Sequence, residues 1–89
     1  MKIRKGFALR PLAKDFIVTA EGANLIDFNK ILSLNATAAY LWESVGENEF
    51  DATTFQKLLL EKYDVDEKTA LNDSLAIIES FRKAGVLED

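Results

Sequence analysis

The chain has neither cysteine nor histidine among its 89 residues. Without cysteine there is no disulfide framework and no thiolate metal site. Without histidine the usual general base near neutral pH is missing, and the best side-chain nucleophile went with the cysteine. Catalysis would have to rest on Asp, Glu, Lys, Ser, Thr or Tyr, which argues against an independent enzyme. Nothing in the sequence asks for a cofactor, and no phosphate-binding glycine loop exists. Breakers are scarce too, with one proline and four glycines. Unbroken apolar runs span only a few residues, so no segment reads as membrane-spanning. The basic start, Met1-Lys2-Ile3-Arg4-Lys5, is not followed by an apolar run of about 7–15 residues, so it does not read as a signal peptide. By elimination the expected location is the cytoplasm.

What is present is a hydrophobic fraction of 48%, which suits a compact fold rather than a disordered tail. A chain this short makes one domain, residues 1–89, with a modest core and little left for a deep catalytic cleft. The net charge of −4 weakens a nucleic-acid reading, since phosphate contacts need a basic footprint. The exception is Lys2, Arg4, Lys5 and Arg10 within the first ten residues. These are read as a solvated, frayed end.

The first third reads as strand. Phe7 to Pro11 alternates apolar and polar and meets a turn at Ala13-Lys14-Asp15. Pro11 cannot donate to a ladder, so this strand lies at an edge or ends there. Phe16 to Ala20 is β-branched and aromatic, and Glu21-Gly22-Ala23-Asn24 resembles a hairpin connection. From Leu25 to Leu34 the pattern supports either two short strands turning at Asn29-Lys30 or one longer strand, which leaves three strands or four.

The remainder reads as helix. Asn35 caps a first helix whose Ala38, Leu41, Trp42 and Val45 share one face, and Gly46 closes it. Asp51 caps a second, with Phe55, Leu58, Leu59 and Lys62 along one side. Asp66 or Asp64 caps a third that runs to about Ala84. Gly85 follows, and Val86-Leu87 returns to the core. A sheet followed by three helices is α+β with segregated elements. The Tyr63-Asp64-Val65 junction makes the last two helices a helix-turn-helix, which the strands would make winged. Asp64, Asp66 and Glu67 do not form a calcium loop, because Lys68 stands at a ligand position and the glycine is missing.

The third helix carries two stripes. Ala70, Ser74, Ile77 and Phe81 form one, and Leu71, Leu75, Ile78 and Arg82 form the other. One stripe is enough to seat a helix on a small core. The second is either more core or the wall of a groove for a partner's apolar side chains, with Arg82 at its end placed to hold an acidic group or to snorkel. A small sheet also has open edges able to accept an extended peptide. The candidates are the first strand, interrupted by Pro11, and Leu25–Phe28, where Asp27 reads more readily as a guard against stray pairing.

Three stretches carry a family likeness: Leu32-Ser33-Leu34-Asn35 running into Ala36-Thr37-Ala38-Ala39-Tyr40-Leu41-Trp42; Leu60 with Lys62-Tyr63-Asp64-Val65; and Ala70, Asp73, Ile77-Ile78, Phe81 and Gly85-Val86-Leu87. In this order, from about Gly6 to Glu88, the chain resembles the coenzyme PQQ synthesis protein D family, the prototype of the peptide-recognition elements of ribosomal-peptide maturation. The stretch from Gly22 to Lys30 is longer than a minimal strand connection of that pattern.

The resemblance implies a winged helix-turn-helix that does not bind DNA. It would be a peptide chaperone that takes the leader of a precursor peptide as an added strand, in a groove against the third helix. It would present that peptide to a radical SAM protein or another modifying enzyme, in PQQ biosynthesis or in a pathway for another peptide. Carried over, Leu25, Ile26, Asp27 and Phe28 form the strand side of the site, and Leu71, Leu75, Ile78 and Arg82 the helix side. No metal is implied. The alternatives are a DNA-binding regulator and a structural subunit that forms a homodimer through its surplus apolar surface.

Overall fold

The computed structural model describes residues 1–20 and 32–88. Its elements are β1 (Lys2–Ile3), β2 (Phe7–Leu12), β3 (Asp15–Ala20), β4 (Leu32–Leu34), α1 (Ala36–Val45), α2 (Ala52–Lys62), α3 (Glu67–Lys83) and β5 (Leu87–Glu88). Among the described residues the main sheet is antiparallel, in the order β2-β3-β4. The proposed hairpin at Glu21–Asn24, the strand at Leu25–Phe28 and the turn at Asn29-Lys30 lie outside the described residues.

β2 and β3 pair from Leu12–Asp15 to Phe7–Ala20 across a two-residue turn, where Ala13 adopts a φ of +55°. This register puts Phe7, Leu9, Phe16 and Val18 on one face, joined by Leu32 and Leu34 of β4. All six are buried or half-buried. The other face carries Arg10, Leu12 and Ser33, which are exposed. The period-two alternation of the sequence thus orients the sheet, because a slip of one residue would exchange the two faces. Pro11 sits in the edge strand, as a residue without an N–H requires.

The helices begin at side-chain caps. The N–H of Ala38 donates to Asn35 Oδ1 (2.9 Å) and that of Thr69 to Asp66 Oδ1 (2.7 Å). Asp66, not Asp64, is therefore the cap of α3. At α2 the cap is reciprocal: Thr54 N–H donates to Asp51 Oδ1 (2.9 Å), and Asp51 N–H donates to Thr54 Oγ1 (3.2 Å). These hydrogen bonds hold the carboxyls of Asp51 and Asp66 below the ordinary value of 3.8.

The end of α3 decides where the chain goes next. Gly85 adopts a φ of +76°. Its N–H donates to the Arg82 carbonyl (3.1 Å) and that of Val86 to the Phe81 carbonyl (3.2 Å). This paired closure turns the fully buried Val86 back into the core. Leu87–Glu88 then pairs with Lys2–Ile3, and the Arg4 N–H extends the pairing to the Val86 carbonyl (2.9 Å). Phe50 and Met1 exchange backbone hydrogen bonds alongside. The basic start of the chain is therefore a strand, not a frayed end. Two-residue strands have no periodicity to read, so β1 and β5 left no signal in the sequence.

Replacing Gly85 with alanine should cost about 1–2 kcal/mol in a denaturant melt, because only glycine takes this φ freely. The acid limb of stability should follow Asp51 and Asp66. Their folded carboxyls titrate below 3.8, so the stabilisation is complete above that value and disappears as pH falls through the lowered folded values. In Asp51→Asn the part of the acid limb due to Asp51 should be absent from melts recorded across that range.

Candidate functional site

An aromatic chain sets the orientation of α3. Phe81 is fully buried and meets Trp42 of α1 edge-on at 5.5 Å and Phe55 of α2 edge-on at 6.2 Å. Phe55 in turn stacks on Phe50 at 4.6 Å. Edge-on and offset contacts are the arrangements the ring quadrupoles favour. With Phe81 held between Trp42 and Phe55, Ala70, Ser74 and Ile78 also face the core. Ser74 satisfies its buried hydroxyl by donating to the Ala70 carbonyl (2.7 Å).

This orientation corrects the division of α3 into stripes. Ile78 belongs to the core face, at 6% exposure, whereas Ile77 is half-buried at its margin. At about 100° per residue, Ala70, Phe81 and Ser74 centre the core arc with Ile77 and Ile78 on its two borders, so the packing of α3 and not the spacing decides between the two isoleucines. Leu71 is half-buried on the opposite margin, and Leu75 is 51% exposed, so the second stripe is not simply more core. Arg82 is exposed near the same side.

The margin that carries Ile77 faces the sheet. A shallow cleft of about 190 Å³ runs between α3 and β4, bounded by Ala76, Ile77 and Ser80 on the helix and by Ser33, Leu34 and Asn35 on the strand side. Ala38 and Phe81 complete it. Among the described residues β4 pairs on one side only, with β3. Counted outward from the two-residue turn, hydrogen-bonded and non-hydrogen-bonded pairs alternate. Leu32 and Leu34 then direct their backbone groups at β3, while Ser33 directs its own at the cleft.

The cleft thus joins a free strand edge to a low wall of small side chains with one branched apolar residue. None of the described residues that line it is ionisable, and an open strand edge is the kind of surface with which an extended chain can pair. Among the described residues no three acidic side chains gather as a metal site, and no helix is long and apolar enough to cross a membrane.

Of the eight residues singled out from sequence, Leu25, Ile26, Asp27 and Phe28 lie outside the described residues. Ile78 is in the core. Leu71, Leu75 and Arg82 lie on the flank of α3 away from the cleft, which none of them lines. The cleft residues Ser33, Ala76, Ile77 and Ser80 were missed as site residues. Ala76 and Ser80 carry no hydrophobic signal, although their small size is what opens the cleft.

A three-stranded sheet followed by three helices, with a cleft between the edge strand and the last helix, defines a winged helix-turn-helix of the α+β class. The sequence profile described as coenzyme PQQ synthesis protein D matches residues 15–87, and the chain belongs to that family. No curated protein matches it. Among solved structures it is similar to TbiB1 in complex with the TbiA(beta) leader peptide. The TM-score is 0.74 at 16% identity, over 99% of this chain and 95% of that one. At that identity the likeness concerns the fold.

Two substitutions separate core from surface on α3. Phe81→Ala should cost about 3–5 kcal/mol, since it empties the centre of the aromatic chain. Leu75→Glu should stay within about 0.5 kcal/mol of the parent, as an exposed site permits. Chemical denaturation of both variants measures the difference.

Proposed function

We propose that this protein binds the leader segment of a ribosomally made precursor peptide and holds it for a modifying enzyme. The observation that carries the reading is the cleft itself: an edge strand with one open side, facing a helix margin of small and apolar residues. An extended peptide adding to β4 would exchange hydrogen bonds with the Ser33 backbone and lay alternate side chains against Ile77 and the floor between Ala76 and Ser80. Family membership supports the same reading, as does a fold neighbour solved with a leader peptide bound. The module would contribute affinity and orientation, and the chemistry would belong to its partner, a radical SAM protein or another modifying enzyme. Leu25–Phe28, which precede β4, remain the proposed strand-side extension of the site.

The flank used is open to direct test. In titrations with the leader of a precursor peptide encoded beside this protein, amide shifts of an isotope-labelled sample should cluster at Ser33–Ala38 and Ala76–Phe81. Ile77→Glu should weaken binding roughly a hundredfold, by placing a charge against a buried apolar contact, while the chain stays folded. Leu75→Glu should leave the affinity unchanged. The opposite result would move the site to the flank of Leu71, Leu75 and Arg82, and shifts in neither region would refute leader binding.

A further inference from the structure

The positive charge of this chain is segregated. Lys2, Arg4, Lys5, Arg10 and Lys14 fall within the first fourteen residues, with no acidic residue among them, whereas all fifteen acids lie beyond, against six bases. Lys2 lies on β1, Arg4 and Lys5 in the connection to β2, Arg10 on β2 and Lys14 in the turn after it, and β2 is the edge of the main sheet opposite β4. Arg4, Lys5, Arg10 and Lys14 are exposed. Among the described residues none of Lys2, Lys5, Arg10 and Lys14 reaches an acidic side chain at ion-pair distance. Arg4 is held in place because its Nε–H donates to the Leu87 carbonyl (3.2 Å).

Among the described residues the same edge is open, since β2 pairs only with β3. By the alternation counted from the turn, Phe7, Leu9 and Pro11 direct their backbone groups away from β3. Pro11 has no N–H to leave unpaired there, but Phe7 and Leu9 each present both groups. Beside them lies a cavity of about 520 Å³, floored by Ile3, Phe7, Leu9 and Trp42 and bordered by Arg4 and Lys5 on the strand side and by Glu43 and Glu47 of α1 on the other. Among the described residues the edge therefore combines open backbone partners and an apolar floor with a strand side whose charges are all basic.

We propose that the β1–β2 edge is a second docking surface, which takes an extended, acidic segment of a partner protein as an added strand. Carboxylates on that segment would pair with Lys5 and Arg10, and its apolar side chains would rest on Phe7 and Leu9. A nucleic acid fits less well, because it has no peptide N–H and C=O groups to pair with Phe7 and Leu9. Glu43 and Glu47 of α1 on the cavity side assign the partner's apolar side chains to that side and its carboxylates to the side of Lys5 and Arg10. The surface lies across the sheet from the β4 cleft, so the two sites can be filled together. It stands on charge and edge geometry alone, whatever occupies the cleft.

The test uses the isotope-labelled full chain and three probes: a synthetic peptide alternating glutamate and valine, its lysine–valine counterpart, and a short DNA duplex. The acidic peptide should shift the amides of Phe7–Leu12 and slow hydrogen exchange at Phe7 and Leu9. Added salt should weaken its binding. The exposed double substitution Lys5→Glu with Arg10→Glu should reduce the affinity by roughly tenfold or more, and the milder Lys5→Gln with Arg10→Gln by less. Circular dichroism checks that both variants fold. The proposal is overturned if the duplex or the basic peptide binds this edge as well as the acidic one does. It also fails if the double charge reversal leaves binding unchanged, or if the acidic peptide shifts only the β4–α3 residues. Leader binding at the cleft stands or falls separately, through Ile77.

Discussion

Phe81 is the residue on which the arrangement turns. It lies near the end of the longest helix, fully enclosed, with Trp42 of one helix and Phe55 of another set edge-on against it. Three helices meet at that ring, so the rotation of α3 about its own axis is determined there. In that orientation Ile78 lies in the core and Ile77 faces the sheet. The Gly85 closure follows within one turn and sends Val86 and β5 to join β1. The two ends of the described chain are thereby tied to the same core.

The cleft is a consequence of that rotation. Ala76 and Ser80 come to face β4, and being small they leave a gap where larger residues would have closed helix onto strand. The short β4 offers its outer edge to the same gap. A site of this kind works through backbone geometry and excluded water rather than through charge. The opposite edge differs in kind: its open backbone groups lie beside a strand side whose charges are all basic.

Much of the framework was legible in the sequence because its signals are local. Asn35, Asp51 and Asp66 are caps by residue type and position, and the alternation of Phe7 to Leu9 and Phe16 to Val18 sets the sheet faces. Gly85 before Val86 marks the end of α3. The site was legible only as a combination of edge strand and third helix. Which isoleucine borders the cleft was not legible, because Ile77 and Ile78 are equivalent in hydropathy and adjacent in sequence. The basic start was misread as frayed because the partners of Lys2 and Ile3 lie at the far end of the chain.

The sequence by itself determined the composition-level exclusions, the caps and turns, the faces of the sheet strands, and membership of a family. Each depends on residues within a few positions of one another or on the presence of a residue type. Only the tertiary structure decided which isoleucine is core, which small residues open a cleft, and how the charges of β1 and β2 come to line one edge. Those depend on the aromatic contacts of Phe81 and on strand pairings between distant residues, and neither leaves a trace in local spacing.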